Sequence, residues 1–365
     1  MRSDPTAPCF RLGHQPALDG LRGLAAGVVL LGHARLPFLP GGYLGVDLFF
    51  VLSGFLITTL LLQEQAQTGR ICLLRFYGRR ALRLLPALCA VVGVSLLYGG
   101  LGPAAVAREM ALDAAGSLLY VENWLRALTA HQGPLLGHTW SLAIEEQFYL
   151  TWPLLVGSRR GIAPLVAFAL LGALASALLR AALFAGPATV PRLYHGTDTR
   201  ADALLTGCAL GLAWATPAVR AHLRAAHRLI AAAAWVATGV LGAVLLGVRA
   251  DDAWLYRGGL SLLALCAAAL LLCALVAPPR LLLWPPLRWL GRISYGLYLW
   301  HYPTFQVFWL HGWLTPAGRL AAATLSVAAA ALSYYGLERP FLALKAALSP
   351  SQDSSRVARS RTRAA

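Results

Sequence analysis

Lysine is almost missing from this sequence: of 31 Lys and Arg residues, Lys345 is the only lysine. Acidic residues are also few, 15 of 365, and charged residues make up only 13% of the chain. Hydrophobic residues reach 58% and the mean hydropathy is +0.62. A water-soluble domain of this length is not so apolar, and the apolar runs repeatedly reach the length of a membrane span. The six cysteines, Cys9, Cys72, Cys89, Cys208, Cys266 and Cys273, show no CxxC spacing. No Cys/His cluster suggests zinc, so no metal is expected and the thiols read as small packing residues. The first residues, MRSDPTAPCFRLGHQ, lack the apolar core of a cleaved signal peptide. The formal net charge of +16 could suit nucleic acid. The arginines, however, are dispersed among short loops instead of gathered in one soluble domain, so no nucleic-acid partner is expected.

What is present is a series of apolar segments near 17–36, 44–63, 83–101, 139–156, 162–184, 199–216, 229–247, 255–277, 290–311 and 317–337. The fold class expected is all-α, a polytopic integral membrane bundle of about ten transmembrane helices. Arginines concentrate in alternate loops, among them Arg70, Arg75, Arg79 and Arg80, then Arg159 and Arg160, then Arg220, Arg224 and Arg228. The positive-inside rule then puts both termini in the cytoplasm. Residues 103–128 are apolar but carry Arg108, Glu109, Asp113, Glu122 and Arg126. They read as an amphipathic stretch at the outer surface. The domain division expected is a cytoplasmic segment over 1–15, a membrane domain over 16–342 and a basic, disordered tail over 343–365.

Ionisable residues inside such segments are costly, and each is a candidate site. Arg22 and His33 lie on one face of the first helix, about 16 Å apart along its axis. An imidazole suits a general base acting on a hydroxyl; the plain alternative is a packing histidine. Arg80 and Arg83 project from one face of the third segment, where two guanidiniums can clamp phosphates at the depth of Arg22. Topogenic charge explains the same pair. Asp47, after the turn at 37–43, could orient the His33 imidazole or merely cap the second helix. Of the adjacent Glu145 and Glu146, one can pair with an arginine or orient His33 while the other points elsewhere. Asp198, Arg200 and Asp202 form a polar mouth that could meet sugar hydroxyls, and Tyr298 and His301 lie mid-membrane in the ninth segment. Glu338 ends the tenth, at the depth of Arg22.

The stretches ALDGLRGLAA…GH, GGYLGVDLFFVLSGFLI, RRALRLLPAL, HTWSLAIEEQFYLTWPLL, TDTRADALLTG, GRISYGLYLWHYP and LERP occur in this order. Together they resemble the acyltransferase family 3 integral-membrane acyltransferases, such as bacterial polysaccharide O-acetyltransferases. The resemblance covers about residues 16–342. It implies transfer of an acyl group, commonly acetyl from cytoplasmic acetyl-CoA, to a hydroxyl of a sugar, polysaccharide or other acceptor. It also implies a bacterial inner-membrane location among membrane lipids. The family's Arg-x10-His motif falls on Arg22 and His33, with His33 as base, and its Arg-x-x-Arg motif on Arg80 and Arg83. The family's glutamate falls on Glu338. The roles expected are catalytic for His33, Asp47 and Glu145, and donor-binding for Arg22, Arg80, Arg83 and Glu338. Acceptor binding is expected of Glu146, Asp198, Arg200, Asp202, Tyr298 and His301. A transporter or flippase of an anionic or acylated sugar or lipid would suit the same intramembrane charges, but the sequence has no evident inverted repeat.

Overall fold

Every regular element among the described residues is helical, as the apolar periodicity predicts. The computed structural model describes residues 12–129, 131, 133–158 and 161–347. The expectations for the first eleven residues, for Arg159 and Arg160, and for the tail from 348 onward lie outside the described residues. In chain order the helices are α1 (Pro16–His33), α2 (Gly45–Thr68), α3 (Leu73–Gly100), α4 (Ala104–Leu118), α5 (Glu122–Leu128), α6 (Trp140–Gly157), α7 (Ile162–Leu183) and α8 (Val190–His195). They continue as α9 (Thr197–Ala215), α10 (Pro217–Ala225), α11 (His227–Gly247), α12 (Leu260–Val276), α13 (Pro285–Arg292), α14 (Ser294–Leu310), α15 (Pro316–Ser333) and α16 (Arg339–Ala347).

Six helical stretches, containing α2, α3, α7, α11, α12 and α15, are long and apolar enough to cross a membrane. The α9–α10 pair, bent by 97° at Thr216, would make a seventh. The three remaining long helices fall short for an instructive reason. Helices α1 and α6 have 18 residues each and carry charged side chains in mid-run, and α14 has 17 residues and carries His301. Interior charge makes α1 and α6 less apolar and α14 is short, and these three hold most of the candidate site.

The bundle centre is dry and closely packed. Phe50 and Val51 of α2, Ile144 and Trp152 of α6, Ala169 of α7, and Leu204 and Cys208 of α9 are fully buried together. Helices α2 and α9 touch backbone to backbone: a Cβ on Gly207 would stand 2.1 Å from the carbonyl oxygen of Val51. Small residues permit such contact where apolar burial alone gives helices no reason to pair.

Charge also fastens this centre. Arg180 of α7 grips Asp202 of α9 through two hydrogen bonds of 3.0 and 2.8 Å, and Ser261 of α12 donates to the same carboxylate at 2.6 Å. Arg200 of α9 donates to Asp47 of α2 at 2.8 Å, and its guanidinium lies beside the rings of Tyr194 and Phe50. Both pairs are buried. Partners this well enclosed hold helices in register, and removing one would strand the other in a dry interior.

Residues 103–128 form two helices, α4 and α5, broken at Tyr120, whose φ of +54° is left-handed. Neither helix is among the membrane-capable stretches. Two further breaks depart from the periodicity. One is a kink at Arg257–Gly258 ahead of α12, where Gly258 has φ +139°, and the other is a π-helical turn, Tyr334–Glu338, that joins α15 to α16 and delivers Glu338 to the interior. The segment expected as one span over 290–311 is divided at Ile293 into α13 and α14.

Candidate active site

The candidate residues gather at two poles of one interior region. The first pole is built of arginines. Arg22, on α1, donates to Ser294 Oγ at the start of α14 at 3.0 Å. Arg80, on α3, is bonded to both carboxylate oxygens of Glu146 on α6, and its guanidinium stacks 3.7 Å above the Tyr149 ring. Arg83 lies one helical turn further along α3. Ser53 of α2 donates to Glu145 at 2.8 Å. Arg22, Arg80, Arg83, Ser53, Glu145 and Tyr298 line a common cavity of about 120 Å³. Glu338 is buried within electrostatic reach of Arg83 and Arg22. Three guanidiniums facing one cavity, with fewer carboxylates directed into it, make a site for an anion.

The second pole is a group of histidines and tyrosines. His33 ends α1, and its Nδ1 is 2.9 Å from the carbonyl oxygen of Val29. A carbonyl only accepts, so Nδ1 carries the proton and the Nε2 lone pair is left to act as a base. His301 of α14 repeats the arrangement, with Nδ1 3.0 Å from the Leu297 carbonyl oxygen. The Nε2 of His301 is then an acceptor, and it lies 3.3 Å from His33 Nδ1. The same tautomer of each ring satisfies all three contacts. His138, in the buried turn Gly137–Thr139 ahead of α6, stacks on Tyr302 with centroids 4.8 Å apart and stands 5.6 Å from His301.

Tyr298 joins the poles. Its hydroxyl donates to the His138 carbonyl at 2.7 Å and accepts from Ser141 at 2.6 Å. Its ring lines the arginine cavity. Tyr298 thus touches both poles, its ring 5.5 Å from that of His301.

Several residues expected in the site lie elsewhere. Asp47 is bound to Arg200 and does not orient His33; the Val29 carbonyl and His301 do so. Glu145 lies at the arginine pole with Ser53, and Glu146 is the partner of Arg80 instead of an acceptor ligand. Asp198 is paired with Arg192 through bonds of 2.9 and 2.6 Å, while Arg200 and Asp202 are locked in the buried helix pairs. The polar mouth read from 194–207 is thus a set of structural ion pairs. His138, Tyr302, Ser53 and Ser294 belong to the site and were not singled out from sequence. His138 opens the HTWSLAIEEQ stretch, and its position ahead of a helix holding two glutamates was the available signal.

Comparison with known proteins fits this architecture. The chain is 38% identical over 307 residues to the putative peptidoglycan O-acetyltransferase YrhL of Bacillus subtilis, covering 79% of this chain and 48% of that protein. It is 37% identical over 309 residues to the peptidoglycan O-acetyltransferase OatA of Listeria monocytogenes, covering 79% and 49%. The O-acetyltransferase OatA of Staphylococcus aureus is 32% identical over 345 residues, covering 89% and 57%. The chain thus spans about half the length of the curated relatives it matches. No solved structure matches it. The family model described as an acyltransferase domain matches residues 15–337, which include both poles of the site, and the chain belongs to this family, acyltransferase 3.

Proposed function

We propose that the protein is a membrane-bound O-acyltransferase that moves an acyl group, acetyl first among candidates, from acyl-CoA to a sugar hydroxyl of peptidoglycan. The observation that carries this reading is the continuity of the two poles through Tyr298: an anion-binding cavity meets a base whose free nitrogen is fixed by its neighbours. The donor's phosphates would rest on Arg22 and Arg83, with Arg80 held in place by Glu146 and Tyr149. Its pantetheine arm is long enough to carry the thioester along α1 towards His33. His33 Nε2 takes the proton of the acceptor hydroxyl as the oxygen attacks the thioester carbonyl. Collapse of the tetrahedral adduct breaks the carbon–sulfur bond, and the imidazolium returns the proton to the leaving thiolate. The products are an ester and free CoA, with no net change at the histidine. The names of the relatives support peptidoglycan as the acceptor.

The test uses the purified chain in vesicles with acetyl-labelled acetyl-CoA and a muropeptide acceptor. Label should appear in the acceptor as a base-labile ester, with one CoA released per ester. Movement of acceptor across the membrane without ester formation would instead establish a transporter.

The reading includes a topology. Helices α1, α2, α3, α6, α7, α9, α11, α12, α14 and α15 form ten spans of the bacterial inner membrane, with both termini cytoplasmic and the membrane domain running over 16–342. The alternation of arginine-rich loops supports it. Reporters fused after Gly69 and Ala221 are expected to read as cytoplasmic, and those after Gly133 and Pro187 as external. An external signal at Ala221 would mean that the 104–128 helices cross the membrane.

A further inference from the structure

Away from the arginine cavity and the histidine group, three ionisable side chains converge without a use in the transfer reaction. They are Asp113 of α4, Glu122 at the start of α5, and His131 in the segment leading to α6. All three are buried, and one ligand atom from each lies within 4.8 Å of the others. His131 Nε2 is 2.7 Å from Asp113 Oδ1 and 3.6 Å from Glu122 Oε1.

The surroundings orient each group towards this point. Glu109 Oε2 lies 3.2 Å from His131 Nδ1, so a proton on Nδ1 can be donated to that carboxylate and the Nε2 lone pair faces inward. Asp113 Oδ2 accepts the backbone N–H groups of Leu135 and Leu136 at 3.1 and 3.0 Å, which leaves Oδ1 facing inward. Glu122 is completely buried, yet neither of its carboxylate oxygens has a hydrogen-bond partner. Arg126 is within electrostatic reach. The slot around that carboxylate is shaped by two glycines. A Cβ on Gly116 would stand 2.5 Å from one Glu122 oxygen, and a Cβ on Gly133, whose φ is +62°, would stand 2.7 Å from the other.

We propose that Asp113, Glu122 and His131 bind a divalent transition-metal ion, with zinc the best match to the donor set. Imidazole with carboxylates is a donor combination that zinc accepts, and a histidine ligand whose other nitrogen donates to a carboxylate is the usual support of such a site. A buried carboxylate with two empty acceptor oxygens needs a cation, and a metal supplies one where the protein offers no hydrogen-bond donor. Ligand atoms of a tetrahedral site stand about 3.3 Å apart, so Nε2 and Oδ1 need separate by well under 1 Å. The ion would fasten His131, and the residues 133–137 that follow it, to α4 and α5. That segment runs directly into the turn presenting His138, so the site braces one wall of the histidine group and takes no part in bond making.

The test uses the full-length protein in detergent, stripped with a chelator and then titrated with zinc chloride, with manganese chloride as a second probe. Bound metal is counted by plasma mass spectrometry after gel filtration, and unfolding is followed thermally. About one zinc per chain is expected, with Tm raised by about 5 °C and the rise reversed by chelator. Glu122→Gln keeps the side-chain shape and should weaken zinc retention at least about tenfold. Stoichiometric manganese in place of zinc supports the same cation site. Absence of stoichiometric metal and of any Tm response in the unaltered protein overturns the proposal, whether or not the variant folds. So does a folded Glu122→Gln protein that retains zinc undiminished. In either case the cluster would be a histidine hydrogen-bonded between Glu109 and Asp113.

Discussion

Replacing His33 with alanine is expected to lower the rate of acyl transfer by a factor on the order of 10²–10⁴ while leaving the protein inserted and folded. The size follows from the role. Without a base, the acceptor hydroxyl must attack with its proton still bound, and no other group in the second pole has its lone pair held in the same place. The fold should survive because His33 is the last residue of α1 and its side-chain hydrogen bonds are to its own helix and to one neighbouring ring. Alanine is also the best helix former. Donor affinity should be unchanged, since the arginines lie at the other pole. The measurement is turnover in vesicles alongside acetyl-CoA binding and thermal unfolding. Near-normal turnover with intact binding would return His33 to helix packing. A companion, His301→Ala, is expected to fall between wild type and His33→Ala. His301 is a positioning residue: it holds His33 Nδ1, but the Val29 carbonyl still selects the tautomer.

The sequence conveyed the helices well because hydrocarbon-grade runs carry a signal in every residue. The helix boundaries of α2, α7, α9 and α11 fall within a few residues of the expected spans. The kink before α12, the π turn after α15 and the division at Ile293 were not legible, because each inserts or displaces a residue without changing the average hydropathy. Charged residues were harder to place. The motif positions Arg22, Arg80, Arg83, His33 and His301 meet around one region, whereas Asp47 and Arg200, 153 residues apart, found each other across the bundle. Nothing local to either residue reports that pairing. The pairing of Glu146 with Arg80 was equally non-local, 66 residues apart in sequence. The buried turn Gly137–Thr139 begins α6 inside the protein, so residues near the start of that helix already reach the arginine pole.

Arg83→Lys is expected to raise the apparent constant for acyl-CoA by about ten- to a hundred-fold and to leave that for the acceptor nearly unchanged. The estimate is the loss of a charge-assisted contact of about 1.5–3 kcal/mol. Lysine preserves the charge, so the prediction isolates geometry: a guanidinium offers a phosphate two parallel hydrogen bonds, and an ammonium offers a point charge. Arg83 is the better probe than Arg80, because Arg80 is already committed to Glu146 and to the face of Tyr149. Changing Arg80 would release Glu146 into the cavity and mix a lost donor with a new unpaired carboxylate. Arg83, by contrast, shares the cavity with Arg22, and Glu338, an acid within its electrostatic reach, arrives from the π turn after α15. Glu338→Gln should therefore act in the opposite sense, leaving the guanidiniums less neutralised and binding the donor's phosphates at least as tightly. The measurement is a titration of acyl-CoA against each variant in nanodiscs at two ionic strengths. The weakening in Arg83→Lys should grow with salt if the cavity opens to solvent. Unaltered donor affinity in Arg83→Lys, with insertion intact, would leave these arginines to topology and lipid headgroups and would move the donor site away from α3.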